Sequence, residues 1–274
     1  MNAAHLIPGP LRVAAVQMVS TPEVGANIAT AQRLVTQAAA DGATLVCLPE
    51  YWPLLGRHER DKLAHAETPG AGPIQDAMAG MAARHGIWLA GGTLPLVSGE
   101  DGKVLNTLLM YGPEGAAVAR YDKVHLFSFT RGNESYDESR TITAGATVQT
   151  VDTPLGRVGL SVCYDLRFPE LYRAMGACSL ILVPSAFTWT TGAAHWEILL
   201  RARAIENQCY VLAAAQGGQH PSGRRTWGHS MLIDPWGEIV AVLPEGEGVA
   251  AGTIDPARLA SVRMDLPALR HRRL

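Results

Sequence analysis

The sequence predicts a mixed α/β layered sandwich folded as one domain. Short apolar, β-branched runs alternate with longer amphipathic ones, strands outnumber helices, and hairpin turns are mixed with strand–helix–strand units. A (β/α)8 barrel needs strict alternation and is excluded. No linker rich in Pro, Gly or Ser divides the chain, and no repeat of fixed period is visible. One domain is expected over 11–274, after a short N-terminal extension at 1–10.

Residues 12–19 (RVAAVQMV) read as a strand. Residues 27–40 read as a helix with Ile28, Leu34, Val35 and Ala38 on one face, stopped by Asp41 and Gly42. Residues 44–48 (TLVCL) form a buried strand ended by Pro49. A second helix at 74–85 closes on Gly86 and leads into a strand at 87–91. Strands at 105–111 and 117–121 flank the turn GPEG, and strands at 148–152 and 157–163 flank TPLG. Residues 170–175 are a short helix, 180–183 a strand and 195–208 a helix. Strands at 210–215, 229–233 and 239–241 complete the series, with DPWG as the last hairpin turn.

Composition narrows the function. The 274 residues carry 23 Lys+Arg against 25 Asp+Glu, with 47% hydrophobic and 18% charged residues, an ordinary soluble profile. Near-neutral charge offers no face for nucleic acid, and the basic tail LRHRRL is too short to supply one. No stretch approaches the roughly 18 apolar residues of a membrane span, and no signal-peptide pattern opens the chain, so a cytoplasmic location is expected. Cys47, Cys163, Cys178 and Cys209 have no CxxC spacing, which excludes a zinc ribbon and disfavours a disulfide scaffold. No metal or other cofactor is expected. One of the four thiols remains open as a nucleophile.

Three strand ends carry reactive groups. Glu50 follows LVCLP, Lys123 follows VARYD, and Cys163 closes VGLSV. Function in layered α/β folds gathers where strands leave the sheet. A thiol is only a few per cent ionised at neutral pH, so it needs a carboxylate within reach, its pKa raised by burial, to take its proton. A nearby ammonium would stabilise the thiolate and then the oxyanion, with the backbone N–H of Tyr164 as a second donor. Each residue alone is ordinary: a Cys ending an apolar strand is usually an inert core thiol.

The segments LPEYW, YDKVHLF and CYDLRFPELYRAMGACSLILVPSAFT resemble the nitrilase, or carbon–nitrogen hydrolase, superfamily. The likeness continues through TGAAHWEILLRARAIENQCYVLAAAQ and GHSMLIDPWGEIVA, spanning 11–241, and is strongest to the Nit branch of deaminated glutathione amidases. The resemblance implies a four-layer αββα sandwich that pairs into a homodimer or larger homo-oligomer. It implies Glu50 as general base, Lys123 as the lysine and Cys163 as nucleophile of a Glu–Lys–Cys triad. Glu138 of SYDES matches the family's second glutamate, which holds the lysine. Where many relatives continue HLFD, Ser128 stands in the acidic position, and the loop 128–136 departs from the common pattern. The implied substrate is a small 2-oxo acid with a distal amide, cleaved through a thioester to 2-oxoglutarate and the amine half.

Recognition of that substrate is open. Arg167 in DLRFPE offers a bidentate fork to a carboxylate, or a structural ion pair with Glu170 or Asp165. Phe187, Thr188 and Thr191 are candidates for the pocket wall and a hydroxyl donor. Glu197 and Arg201 are spaced i,i+4 on a helix that reads as scaffold or dimer contact. His125, His195 and His229 are rival bases for Cys163, but no papain-like or caspase signature surrounds them. Rival activities are an ω-amidase, an N-carbamoyl amino acid amidohydrolase and a nitrile hydrolase. A non-catalytic scaffold is the rival from another class.

Overall fold

The computed structural model describes residues 9–132 and 134–273. Most of the extension expected at 1–10, and Leu274 of the basic tail, lie outside the described residues. Two sheets form the centre. The first runs in the order Gly248–Ile254, Leu11–Gln17, Leu45–Cys47, Trp88–Ala90, Val104–Tyr111 and Leu94–Val97, with Ala117–Asp122 also paired to Val104–Tyr111. The second runs Ile239–Leu243, Ser230–Ile233, Tyr210–Ala213, Leu180–Leu182, Gly156–Leu160 and Gln149–Thr153.

The period-2 alternation of the strands builds the layers. Val13, Ala15, Leu45 and Cys47 point from the first sheet into a core shared with Val158, Leu160, Leu180 and Leu182 of the second. Their neighbours Ala14, Val16 and Val46 point the other way, into a core with Leu34 and Val35 of α1 (Val24–Ala40) and Met78 and Met81 of α2 (Pro73–His85). Beyond α3 (Pro169–Ala174), the outer face of the second sheet is covered by α4 (Trp189–Asn207) through Trp196, Leu200 and Ala204. The layer order is therefore αββα. Because both faces of each sheet are buried, the central strands read as continuous apolar runs rather than alternating ones.

Several expectations are corrected. The strand series does not end at 241, because Gly248–Ile254 pairs antiparallel with Leu11–Gln17 along its whole length. Its sequence GVAAGTI is too rich in Gly and Ala to look like a strand. The helix α5 (Pro256–Asp265) follows, capped by the Asp255 side chain on the Ala257 N–H. Leu94–Val97 is a further strand, and the loop 128–136 holds a hairpin of Ser128–Arg131 with Glu134–Asp137, although Asn133 lies outside the described residues. The helix expected at 195–208 begins six residues earlier, where the Thr188 hydroxyl accepts the Thr191 N–H at 3.3 Å as an N-cap.

Candidate active site

The three strand ends converge. Glu50 leaves the parallel strand Leu45–Cys47 beside Gly92, whose φ of +57° lets its backbone sit where a Cβ would stand 2.1 Å from the Pro49 carbonyl. Lys123 follows Ala117–Asp122, its N–H held by the Asn106 carbonyl at 2.9 Å. Cys163 opens a 3-10 helix, Cys163–Arg167, just after Gly156–Leu160. Its φ of +48° is costly for a residue with a side chain, and the surroundings enforce it. The Cys163 N–H donates to the Pro184 carbonyl at 2.9 Å. The fully buried Asp165 carboxylate accepts from the Val162 N–H, the Tyr121 hydroxyl and the His125 N–H at 2.7–3.0 Å.

A buried charge network joins these ends. Lys123 Nζ lies 2.9 Å from Glu50 Oε1, 2.7 Å from Glu138 Oε2 and 3.0 Å from Glu138 Oε1. Glu50 also accepts from Asn106 Nδ2 and from the Ala186 N–H, each at 2.9 Å. Glu138 accepts from the Tyr51 hydroxyl and the Phe127 N–H, both at 2.7 Å. Every carboxylate oxygen thus has a donor, which makes charge tolerable in a site this buried.

The charges set the protonation states. Burial works against the Lys123 ammonium, yet Glu138 and Glu50 outweigh it and hold its pKa well above the ordinary lysine range. Burial also works against ionised Glu138, and Lys123 outweighs it, so the carboxyl is held below its usual range. Burial, then the charge of Glu50, pushes the Cys163 thiol well up, with Lys123 offsetting part of the effect. The balance of these effects favours the neutral thiol over the thiolate.

A small cleft opens on Cys163 and is lined by Phe127, Tyr164, Arg167, Phe187, Thr188 and Thr191 among others. All the residues singled out for recognition thus line the cleft at Cys163. Arg167 forms no ion pair with Glu170 or Asp165; its guanidinium packs over the rings of Tyr164 and Phe187 and lies 3.2 Å from His195 Nδ1. The Thr188 and Thr191 hydroxyls lie 2.9 Å apart and bond each other. Tyr164 is second in its 3-10 helix, so its N–H belongs to the first turn, which has no acceptor within the helix.

The histidines are engaged elsewhere. His125 Nδ1 lies 2.7 Å from Asp165 and its ring stacks on Phe168, while His229 stacks on Trp227. The other three cysteines are buried and free; burial pushes Cys47 and Cys209 up and Cys178 to about 11. Glu197 and Arg201 pair at 3.2 Å on the α4 surface. Sequence reasoning missed Tyr51 and Asn106. An Asn inside the apolar run VLNTLLMY was the one visible signal for the second.

The sequence profile of the carbon–nitrogen hydrolase family matches residues 12–264. The chain belongs to that family. This carbon–nitrogen hydrolase is 45% identical over 270 residues to a deaminated glutathione amidase of Synechocystis, covering 96% of this chain and 98% of the relative. It is 36% identical to the human omega-amidase NIT2, covering 96% and 95% of the two chains. Its fold superposes on yeast Nit3, a member of branch 10 of the nitrilase superfamily, with a TM-score of 0.88 at 31% identity over the full length of both. No helix among the described residues of the hydrolase is long and apolar enough to cross a membrane.

Proposed function

We propose that this carbon–nitrogen hydrolase is a cofactor-independent thiol amidase that cleaves deaminated glutathione to 2-oxoglutarate and cysteinylglycine. One observation carries the chemistry: Lys123 bridges Glu50 and Glu138 in a buried site beside a strained cysteine. The substrate rests on the 45% identity to the Synechocystis enzyme.

Each step uses a group already in place. Glu50 takes the Cys163 proton as Sγ attacks the amide carbon, so the high resting pKa of the thiol is overcome only when a bond forms. The oxyanion is met by the Tyr164 N–H and by the field of Lys123, whose own protons face carboxylates. Glu50 returns the proton to the departing nitrogen, and the amine half leaves a Cys163 thioester. Water then attacks with Glu50 as base, 2-oxoglutarate departs, and the proton goes back to sulfur. Glu138 holds Lys123 in place, and Arg167 takes the carboxylate of the 2-oxo acid.

The same reading places the enzyme in a reducing, cytoplasmic setting, supported by four free thiols. It also makes the enzyme a homodimer or larger homo-oligomer. Ile198 on α4 and Val240 and Val242 on the neighbouring edge strand are exposed at 70%, 46% and 45%, an apolar face suited to a second copy. The test is a kcat/KM panel of deaminated glutathione, 2-oxoglutaramate, N-carbamoyl-β-alanine and a simple nitrile. Deaminated glutathione is expected to lead. A lead for 2-oxoglutaramate would make the enzyme an ω-amidase, and inertness toward all four would favour a scaffold.

A further inference from the structure

A second, larger cleft of about 200 Å³ is lined in part by Ser135 and Tyr136 of the hairpin formed by Ser128–Arg131 and Glu134–Asp137. Its back wall is Tyr51, whose hydroxyl ends on Glu138. Tyr51 and Leu55 share one buried cluster with Ala186, which lines the cleft over Cys163 and holds Glu50. Phe127 faces the smaller cleft and Tyr136 the larger, with ring centroids 5.8 Å apart. The two hollows are neighbours that share a wall of side chains.

The larger cleft is basic. Arg57, Lys62 and Arg224 line it together with His58, and Glu59 is the one carboxylate among its lining residues. Glu59 answers Lys62 at 3.1 Å and Arg224 at 3.9 Å. Lys62 also donates to the Thr141 hydroxyl and lies over the Tyr51 ring, and Arg224 lies over the ring of Tyr136. Arg57 is exposed and has no protein partner among the described residues. Three permanent cations against one carboxylate, on a floor of Leu54 and Leu55, suit a carboxylate on a short organic stem.

We propose that this chamber is the leaving-group subsite and binds the terminal carboxylate of the amine half through Arg57 and Arg224. The assignment rests on the proposed function, which places the acyl half with Arg167 beside Cys163. A peptide-like amide has a carboxylate at each end, and each of the two neighbouring clefts is lined by a cationic group. A primary amide, which releases only ammonia, leaves the chamber unused.

The test compares the Arg57→Ala/Arg224→Ala double variant with the wild type on two amides sharing one acyl half. The KM for deaminated glutathione is expected to rise roughly tenfold, while kcat/KM for 2-oxoglutaramate changes less than about twofold. Equal loss on both substrates, or on neither, would overturn the assignment. Calorimetry with cysteinylglycine and its C-terminal amide supplies a readout independent of turnover. The wild type is expected to prefer the free acid and the variant to lose that preference. A wild type that binds the two alike, or binds neither, overturns the subsite. A wild type that hydrolyses neither amide yet still prefers the free acid sinks the proposed function and leaves the anion site standing.

Discussion

Lys123 Nζ sits 2.7 Å from one oxygen of Glu138 and 3.0 Å from the other, both side chains shut away from solvent. Removing the Glu138 charge leaves Lys123 with Glu50 as its remaining carboxylate partner. Glu138→Gln is expected to cost about 2 kcal/mol of stability, the weight of a charge-assisted hydrogen bond, and to cut kcat at least tenfold, measured by denaturant unfolding and steady-state turnover. The pH sign follows from the direction of the shift. Glu138 is held below the ordinary carboxyl pKa of about 4.3, so its contribution is whole above that value and is lost as pH falls through the depressed one. The stability gap between wild type and Glu138→Gln is therefore expected to narrow in acid below about pH 4. A gap that widens there contradicts the pairing.

Asn106 donates to Glu50 Oε1 at 2.9 Å, while its own Oδ1 is buried with no hydrogen-bond partner. It holds Glu50 and lines neither cleft. Asn106→Ala is expected to lower kcat about tenfold, equivalent to one charge-assisted hydrogen bond, with KM unchanged. A rise in KM alone would show that it contacts substrate instead.

The thiol of Cys163 is held up by burial and by Glu50. Alkylation by iodoacetamide in the wild type is therefore expected to quicken through the alkaline range, without a plateau at neutral pH. Glu50→Gln removes the charge that raises the thiol, so the rise moves to lower pH even as turnover is lost. A wild-type rate that is flat from neutrality upward would mean a preformed thiolate.

Gly92 carries the Pro49–Glu50 turn on its backbone alone, because an added Cβ would meet the Pro49 carbonyl. Gly92→Ala is expected to destabilise the fold by at least about 2 kcal/mol and to impair kcat by displacing Glu50. Unfolding midpoints and turnover measured together separate the two effects.

Much of this was readable in the sequence, and the exceptions have physical causes. Glu50, Lys123 and Cys163 stand out because each ionisable group ends an apolar strand, and the flanking motifs tie them together. Tyr51 is hidden: its side chain reaches Glu138 only because its backbone takes a φ of +55°, which no local pattern announces. The strand Gly248–Ile254 lacks bulky β-branched residues because small ones fit there: a Cβ on Gly252 would stand 2.7 Å from Leu232. The start of α4 was obscured by Thr190, Thr191 and Gly192, weak helix formers that the Thr188 cap and tertiary contacts override. The pair Asp255-Pro256, an N-cap followed by proline at the first helical position, was a legible signal for α5.

The most direct measurement is hydrolysis of deaminated glutathione by folded Cys163→Ala protein, with circular dichroism confirming the wild-type fold. A nucleophile whose thioester is obligatory predicts a loss of at least about 10⁴-fold in kcat. Activity within about tenfold of the wild type would contradict a nucleophilic Cys163.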